Sequence, residues 1–314
     1  MTVSHRPSTW PGGARFAFTI FDDPDAQTVE TGRPVYDLLS DLGFRTTKAV
    51  WPIRGTGIPS DRGETCADED YRKWVENLQI GGFEIGYHNA TSHTSTRDET
   101  QRGLDTFARY FGEAPLAMAN HYNCDEGIYF GDARVSGLAR AIYNVVTRGR
   151  NRRRFHGHVP GHPEFWGDLC RARVKYVRNF VFRDVNTLTA CPWMPYHDPA
   201  RPFVNYWFAS SEGDKGPAFM ERISEANQER LEEEGGACVM YTHFAHGFVD
   251  ARGRLEPRFV RLMERLAGRN GWFVPVSTLL DYLLARRPDP VLTPRQRAML
   301  EWRWLFHKVR YGTA

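Results

Sequence analysis

Carboxylates and imidazoles follow three of the hydrophobic segments of this chain. Asp22 and Asp23 come after the first segment, His88 and His93 after a second, and His243 after a late one. One Asp and two His from separate strand ends can bind one divalent metal. A second Asp is then left as general base and a distant His as general acid. This set suits hydrolysis of an amide or ester by a metal-bound water.

The adjacent carboxylates Asp22 and Asp23 cannot both enter one pocket from a regular strand, because successive side chains alternate. Pro24 enforces a turn at this strand end, which lets one carboxylate bind the metal while the other faces the water. We predict Asp23 as the metal ligand and Asp22 as the general base. The alternative is a turn and helix-cap role for the Asp-Asp-Pro-Asp string.

His88 and His93 are the predicted imidazole ligands. Five residues turn ~500° on a regular helix and leave two side chains ~140° apart, so a shared metal requires a loop or bulged turn between them. An Asp-His-His set with open positions suits zinc most, with cobalt, iron or manganese as alternatives.

His243 ends an apolar strand and is the predicted general acid, although a buried core histidine is the alternative. His246 competes for that role or contacts the substrate. His121 follows another strand-like segment and is predicted to contact the substrate. His156, His158 and His162 form a cluster that could bind a metal, although the surrounding Arg and Gly residues favour a loop. The basic run at 148–154 is most simply a solvated loop, and the alternative is that it binds a phosphate or carboxylate on the substrate.

The hydrophobic pattern alternates strand and helix over most of the chain, which favours a parallel sheet. The predicted strands are 16–21, 46–51, 83–87, 115–119, 174–182, 203–208, 237–242 and 272–276. The predicted helices are 33–42, 68–79, 97–111, 217–234, 256–266 and 277–284. In a parallel barrel, functional residues gather at the carboxyl ends of the strands, where Asp22, Asp23, His88 and His243 fall. Residues 120–175 are expected to form an insertion lying over the site.

The tail from Thr293 to Gly312 predicts a helix with Thr293 as N-cap, Pro294 in the first turn and Gly312 past the end. Apolar and basic residues alternate along it. Packing against the barrel or against a second copy is one interpretation, and contact with an anionic membrane is the other. We therefore expect a domain over 1–287 and a basic amphipathic helix over 288–314.

Composition limits the partners. The chain has 314 residues, 41% of them hydrophobic, and a net charge of +3, which excludes a strong nucleic-acid partner. Five scattered cysteines indicate reduced thiols in a cytoplasmic protein. No apolar leader and no long apolar run are visible, so we expect no signal peptide and no membrane span.

These residues resemble those of the polysaccharide deacetylases, the NodB-like carbohydrate esterases. The family's Thr-Phe-Asp-Asp-Gly string is similar to Thr-Ile-Phe-Asp-Asp-Pro at 19–24, and its His pair after Gly-x-His is similar to Gly86-Tyr-His88 followed by His93. Its Leu-x-His motif is loosely similar to Met240-Tyr-Thr-His243. The resemblance covers about residues 16–284. It implies a distorted, incomplete (β/α) barrel, a base at Asp22, metal ligands at Asp23, His88 and His93, and a general acid at His243.

Two family segments have no clear counterpart. The family's Arg-x-Pro-Tyr segment, whose Arg steers the base, is replaced by Asn120-His121-Tyr122-Asn123. The candidates for the family's Asp-Trp segment are Pro192-Trp193 and Asn205-Tyr206-Trp207, and Trp207 is a predicted substrate contact. The resemblance implies a metal-dependent deacetylase acting on an N-acetylated sugar or glycan intermediate. The alternatives are a hydrolase of another linear or cyclic amide, a non-catalytic glycan-binding relative and a glycosidase. Adjacent carboxylates are poorly placed for the last of these.

Overall fold

A computed structural model describes residues 10–314. The strands are β1 Phe16–Asp22, β2 Thr47–Val50, β3 Glu84–Tyr87, β4 Ala117–Met118, β5 Tyr176–Phe182, β6 Tyr206–Glu212, β7 Ala237–Thr242 and β8 Gly271–Phe273. The helices are α1 Val29–Asp41, α2 Glu69–Ile80, α3 Arg97–Phe111, α4 Gly137–Val146, α5 Gly167–Arg173, α6 Thr187–Ala190, α7 Gly216–Arg222, α8 Glu225–Glu233, α9 Pro257–Ala267, α10 Val276–Leu284 and α11 Pro294–Tyr311.

Seven parallel strands, β1 to β7, form a barrel ringed by helices. Strands β2 to β7 lie side by side in chain order, and β7 pairs with β1 along Ala17 to Asp22. The ring closes where Phe21 and Asp22 pair with Thr47 and Lys48 of β2. The first half of β1 pairs instead with β8, which lies outside the ring. The predicted distorted, incomplete (β/α) barrel is thus confirmed.

Burial of the strands on both faces explains why their sequences are nearly continuous apolar runs. Every residue of β1, β2, β5 and β7 is buried, as expected for parallel strands covered by helices. The helices bury one face each; in α9 this face consists of Phe259, Leu262, Met263 and Leu266. One consequence is that any charged side chain on these strands needs a partner inside the protein.

Several predicted elements differ from the structure in their bounds, and three of them show why. Helix α1 begins at Val29, because Thr28 forms a capping box with Thr31, so Pro34 lies inside the helix. The single helix predicted over 217–234 is two helices, interrupted between Arg222 and Glu225. The extended segment predicted from residue 203 becomes a strand only at Tyr206.

The long segment between β4 and β5 carries α4, α5 and the 3-10 turn Gly131–Arg134. Residues from this segment, including Tyr122, Phe130 and Asn151, line a pocket at the carboxyl ends of the strands. The expectation of an insertion over the site agrees with this placement.

The C-terminal helix α11 packs against the barrel and α4. Thr293 forms the predicted N-terminal cap with Gln296, and Gly312 takes the left-handed conformation that ends the helix. Leu300 and Trp304 are buried, and the Trp304 ring lies 5.4 Å from that of Tyr143 on α4. In residues 10–314, no helix is long and apolar enough to cross a membrane.

Candidate metal centre and its pocket

The side chains that could bind a metal or transfer a proton meet at the carboxyl ends of four strands. Asp25 lies three residues past β1, His88 directly follows β3, His121 lies three residues past β4 and His243 directly follows β7. These positions form one edge of the barrel, which is why residues so distant in sequence are neighbours.

Asp25, His88 and His121 form a compact cluster in which one ligand atom of each lies within 4.8 Å of the others. The Nε2 atoms of His88 and His121 lie 3.3 Å from the two carboxylate oxygens of Asp25. A carboxylate and two imidazoles are a donor set that suits zinc and other first-row divalent metals.

Hydrogen bonding and charge in the cluster also fit a cation. Within the described part of the chain, Asp25 Oδ1 and His88 Nδ1 are buried without a hydrogen-bond partner. Burial lowers the pKa of His88, which favours the neutral, ligating ring. Burial opposes protonation of His121, but Asp25 raises the pKa of this ring. Burial likewise raises the pKa of Asp25, but the three neighbouring histidines His121, His243 and His88 outweigh it and hold that pKa well below its ordinary value. The surroundings of Asp25 therefore favour positive charge.

A second layer of contacts orients the cluster. The Nδ1 atom of His121 lies 3.3 Å from the Cys124 sulfur, so the ring is held on its far side. Asn89 accepts a hydrogen bond from the His121 backbone N–H and donates to Glu126, which also accepts from the Ser95 N–H. The fully buried Glu126 thus joins the loop after β3 to the loop after β4. Burial raises the pKa of Glu126 to about 7.

Asp23 is held by an arginine rather than by the histidine cluster. Arg178, on β5, donates two hydrogen bonds to the Asp23 carboxylate, 3.0 and 2.5 Å long. Its guanidinium also lies over the Tyr241 ring, 4.3 Å from the ring centre. Asp23 Oδ1 remains 3.7 Å from His88 Nδ1. The predicted ligand Asp23 is therefore oriented beside the cluster instead of within it, because both its oxygens bind Arg178.

Asp22 points away from the pocket into the protein. Its carboxylate is fully buried and accepts hydrogen bonds from Gln27, Tyr36 and the Phe244 N–H, with the Lys48 amine 3.5 Å away. The structure thus places the predicted base in a network joining β1 to α1, β2 and the segment after β7. Burial raises the pKa of Asp22, although Lys48 opposes the shift.

His93 does not meet His88, because the loop between them turns the second ring away. Its Nε2 accepts a 3.0 Å hydrogen bond from the Gly57 N–H, and its Nδ1 lies 2.9 Å from the Thr94 carbonyl. Both ring nitrogens are thus occupied by backbone groups. In the position predicted for His93, the structure places His121, which the sequence indicated only as a substrate contact.

His243 faces the cluster from β7. Its Nε2 lies 3.4 Å from Asp25 Oδ2, and its Nδ1 lies 2.8 Å from the Asp214 carboxylate. Burial favours the neutral ring, but hydrogen bonds to Asp214 and Asp25 outweigh it and hold the pKa of His243 well above its ordinary value. An imidazole oriented by a carboxylate is well suited to donate a proton.

A pocket of about 260 Å³ opens over these residues. It is lined by Asp23, Asp25, His88, Arg178 and His243, and by the aromatic rings of Tyr122, Phe130, Tyr143 and Tyr241. None of the three predicted substrate contacts, His121, Trp207 and His246, is among its lining residues. Trp207 is buried on β6, and the half-buried His246 lies beside His243, with ring centres 6.0 Å apart.

A second cluster, of His156, His162 and Glu164, lies in the insertion. The two imidazole rings stack with centres 3.7 Å apart, and Glu164 contacts His162. His158 is separate from it and accepts a hydrogen bond from the Tyr129 N–H. All three members are partly exposed, and none of them is among the residues that line the pocket over the Asp25–His88–His121 cluster.

Sequence reasoning missed three members of the site. Asp25 stands in the Asp-Asp-Pro-Asp string and could have been found as the third carboxylate after the strand. Arg178 interrupts the apolar run of β5, which is itself a signal, since a charge on a buried strand needs a partner. Asp214 follows β6 at the same edge and gave no further signal.

Comparison with known proteins supports the fold. Neither a protein-family model nor a curated protein sequence matches the chain. A probable polysaccharide deacetylase from Pseudomonas aeruginosa PAO1 is similar in structure, with a TM-score of 0.50 and 13% identity over 89% of this chain and 94% of that one. The resemblance to the polysaccharide deacetylases is thereby confirmed at the level of the fold.

Two further structures are similar at lower scores. One is the peptidoglycan deacetylase PdaC from Bacillus subtilis, with a TM-score of 0.41 and 13% identity over 86% of this chain and 93% of that one. The other is the catalytic domain of a peptidoglycan N-acetylglucosamine deacetylase from Eubacterium rectale, with a TM-score of 0.35 and 9% identity over 87% of this chain and 94% of that one.

Proposed function

We propose that the protein is a metal-dependent hydrolase that removes an N-acetyl group from a sugar or glycan intermediate. The observation that carries this proposal is the Asp25–His88–His121 cluster, with an Arg-held carboxylate on one side and an Asp-held imidazole on the other. The deacetylase names of the structural neighbours agree with it.

In this proposal Asp25, His88 and His121 hold the metal. A divalent metal bound there would supply a Lewis acid that polarises an amide carbonyl and acidifies water. This assignment replaces the sequence-based ligands Asp23 and His93, and it keeps His88. Zinc suits the donor set, as do cobalt, iron and manganese.

Asp23 is the proposed general base. Arg178 fixes the plane of its carboxylate through two hydrogen bonds and leaves it beside His88 at the pocket wall. In the resembled family an Arg steers the base from an Arg-x-Pro-Tyr segment. In this protein Arg178, on β5, orients the base instead, so an Arg-x-Pro-Tyr segment is not needed.

His243 is the proposed general acid. Asp214 accepts from its Nδ1 and orients the ring so that Nε2 faces the pocket. The proton on Nε2 would pass to the leaving amine as the C–N bond breaks. His246 lies beside His243, does not line the pocket, and is not proposed to exchange protons with substrate.

The pocket supports a small polar substrate with an apolar face. Its volume of about 260 Å³ lies below the ~300–1,000 Å³ typical of drug-sized ligands, which suits one sugar unit. The rings of Tyr122, Phe130 and Tyr143 offer flat apolar surfaces for a sugar face.

The test is acetate release from N-acetylated mono- and oligosaccharides, with cyclic amides and imides in the same screen. We expect activity that is lost with a chelator and restored by metal. Asp23→Asn should lower kcat by about 100-fold or more while metal content stays the same. Asp37→Asn, at an exposed position of α1, is the matched control and should behave as wild type.

Full activity in excess chelator, or in Asp23→Asn, would rule out this mechanism. Turnover of cyclic amides alone would keep the site and change the substrate class. Sugar binding without turnover in the metal-loaded protein would favour the glycan-binding alternative.

A further inference from the structure

The solvent face of α11 has an unusual composition. Its exposed residues are Pro294, Arg295, Ala298, Met299, Trp302, Arg303, Phe306, Val309, Arg310 and Tyr311. They are either apolar, aromatic or arginine. The only acidic residue of the helix, Glu301, is buried against Arg201. Surface helices normally place mixed charges on this face.

The apolar members form one continuous stripe. Met299, Trp302, Phe306 and Val309 are spaced by three, four and three residues, so they share one side of the helix. Their exposed fractions are 52%, 44%, 59% and 57%. The stripe lies opposite Leu300 and Trp304, which pack on the barrel, so core packing does not explain it.

The neighbouring helix α4 continues the pattern. It packs against α11 and exposes Leu138 and Val145, at 67% and 78%. No Asp or Glu occurs between Ala133 and Pro163. The same segment carries Arg140, Arg148, Arg150, Arg152, Arg153 and Arg154. We call the exposed residues of α4 and α11, with the loop 147–154, the basic-apolar surface.

We propose that the basic-apolar surface binds an anionic lipid membrane. The argument for this occupant is charge. A second copy placed symmetrically on α11 would set arginines against arginines, whereas an anionic bilayer is complementary to them. Apolar and aromatic residues that enter the headgroup boundary beside arginines are the composition of an interfacial helix.

Docking would also place the pocket near the bilayer. Lys308, on α11, and Ala314 line the pocket. If the proposed deacetylase function holds, a membrane-anchored glycan then reaches the site more readily than a dissolved one. The membrane proposal itself does not depend on that function.

The test is co-sedimentation with vesicles of neutral phosphatidylcholine or of phosphatidylcholine mixed with anionic phosphatidylglycerol, which gives the bilayer the negative surface potential that attracts arginines. We expect binding to the anionic vesicles only, weakened at high salt. Phe306→Glu and Trp302→Glu should each weaken the partition roughly tenfold, because each removes an inserted ring and adds a like charge. Ile58→Glu, at a residue 90% exposed on another loop, is the matched control and should bind as wild type.

Unfolding temperatures of all variants separate a binding defect from a folding defect. Absence of binding to anionic vesicles would overturn the proposal, as would undiminished binding of folded Phe306→Glu. A dimer in solution that Phe306→Glu dissociates would show that a second copy covers the surface, and would overturn it as well.

Discussion

At the scale of single residues, the carboxylates at the end of β1 show that neighbouring positions can have different roles, because their side chains point in opposite directions. Asp22 ends the strand and points into the Lys48–Tyr36 network, so Asp23 points the other way, to Arg178. Asp25 follows the turn and reaches the histidines. The sequence predicted a carboxylate-bearing strand end. Which carboxylate enters the pocket depends on the turn, which no residue type determines.

The pairing of Asp23 with Arg178 leads to a first prediction. Arg178→Lys keeps the charge but loses the two parallel hydrogen bonds, so the Asp23 carboxylate is no longer fixed. We expect kcat to fall by about 100-fold with little change in metal content. Steady-state kinetics beside elemental analysis measure both.

The exposed Arg252→Lys is the control for that substitution and should be neutral. An unchanged kcat in Arg178→Lys would mean that Asp23 does not act as the base.

Glu126 leads to a second prediction, for metal affinity. Both its carboxylate oxygens accept hydrogen bonds, from Asn89 and the Ser95 N–H. In Glu126→Gln an amide NH₂ must face one of these donors, which loosens the two loops that carry His88 and His121. We expect about tenfold weaker metal binding, measured by competition with a chelating dye.

Glu113→Gln, at an exposed position after α3, serves as the comparison for Glu126→Gln. Equal metal affinity in the two variants would show that Glu126 only supports the fold.

At the scale of elements, strands were easier to predict than loops. His88 was found because it directly follows a short buried strand, and the barrel places every such position at one edge. His93 was misplaced because residues 89–96 form a loop that hydrogen-bonds to Gly57. His121 lies after a strand of only two residues, whose pattern is too short to indicate the pocket.

The attachment of α11 leads to a third prediction. Glu301 accepts from Arg201 and from Ser136 at the start of α4, and Asp198 also pairs with Arg201. Glu301→Ala removes one of the two carboxylates that pair with the buried Arg201 guanidinium. It should therefore lower the free energy of unfolding by about 3 kcal/mol. Urea unfolding measures it, with the exposed Glu233→Ala as reference. A loss equal to that of Glu233→Ala would show that this network does not hold the helix.

His158, in the insertion, leads to a prediction on pH. Burial, with Arg140 and Arg201 nearby, lowers the pKa of His158 to about 4, and its Nδ1 accepts from the Tyr129 N–H. An unfolded histidine takes up its proton near pH ~6.5. Between these values the unfolded chain binds more protons, so stability should fall as the pH drops from 6.5 to 4 and be fully present above.

The measurement is urea unfolding of wild type and His158→Asn across that range. Asn can accept from the Tyr129 N–H and does not titrate, so the variant should lose less stability on acidification. Parallel losses in the two proteins would contradict a role for His158.

At the scale of the whole molecule, barrel closure brings the site together. Arg178 reaches Asp23 across 155 positions of sequence, and the Phe244 N–H reaches Asp22 across 222. Alternating strands and helices predicted the barrel, since that pattern is local. They could not predict these pairings, which depend on how the strand ends face one another across the ring. The domain boundary at 287 and the cytoplasmic location stay predictions.

The central claim is that Asp25, His88 and His121 hold one metal. The most direct measurement is metal content by elemental mass spectrometry after reconstitution, for wild type, Asp25→Ala, His121→Ala and His93→Ala. We predict about one metal per chain in wild type and His93→Ala, and loss in the other two. Metal lost in His93→Ala but kept in His121→Ala, or no metal in the wild type, would contradict this assignment.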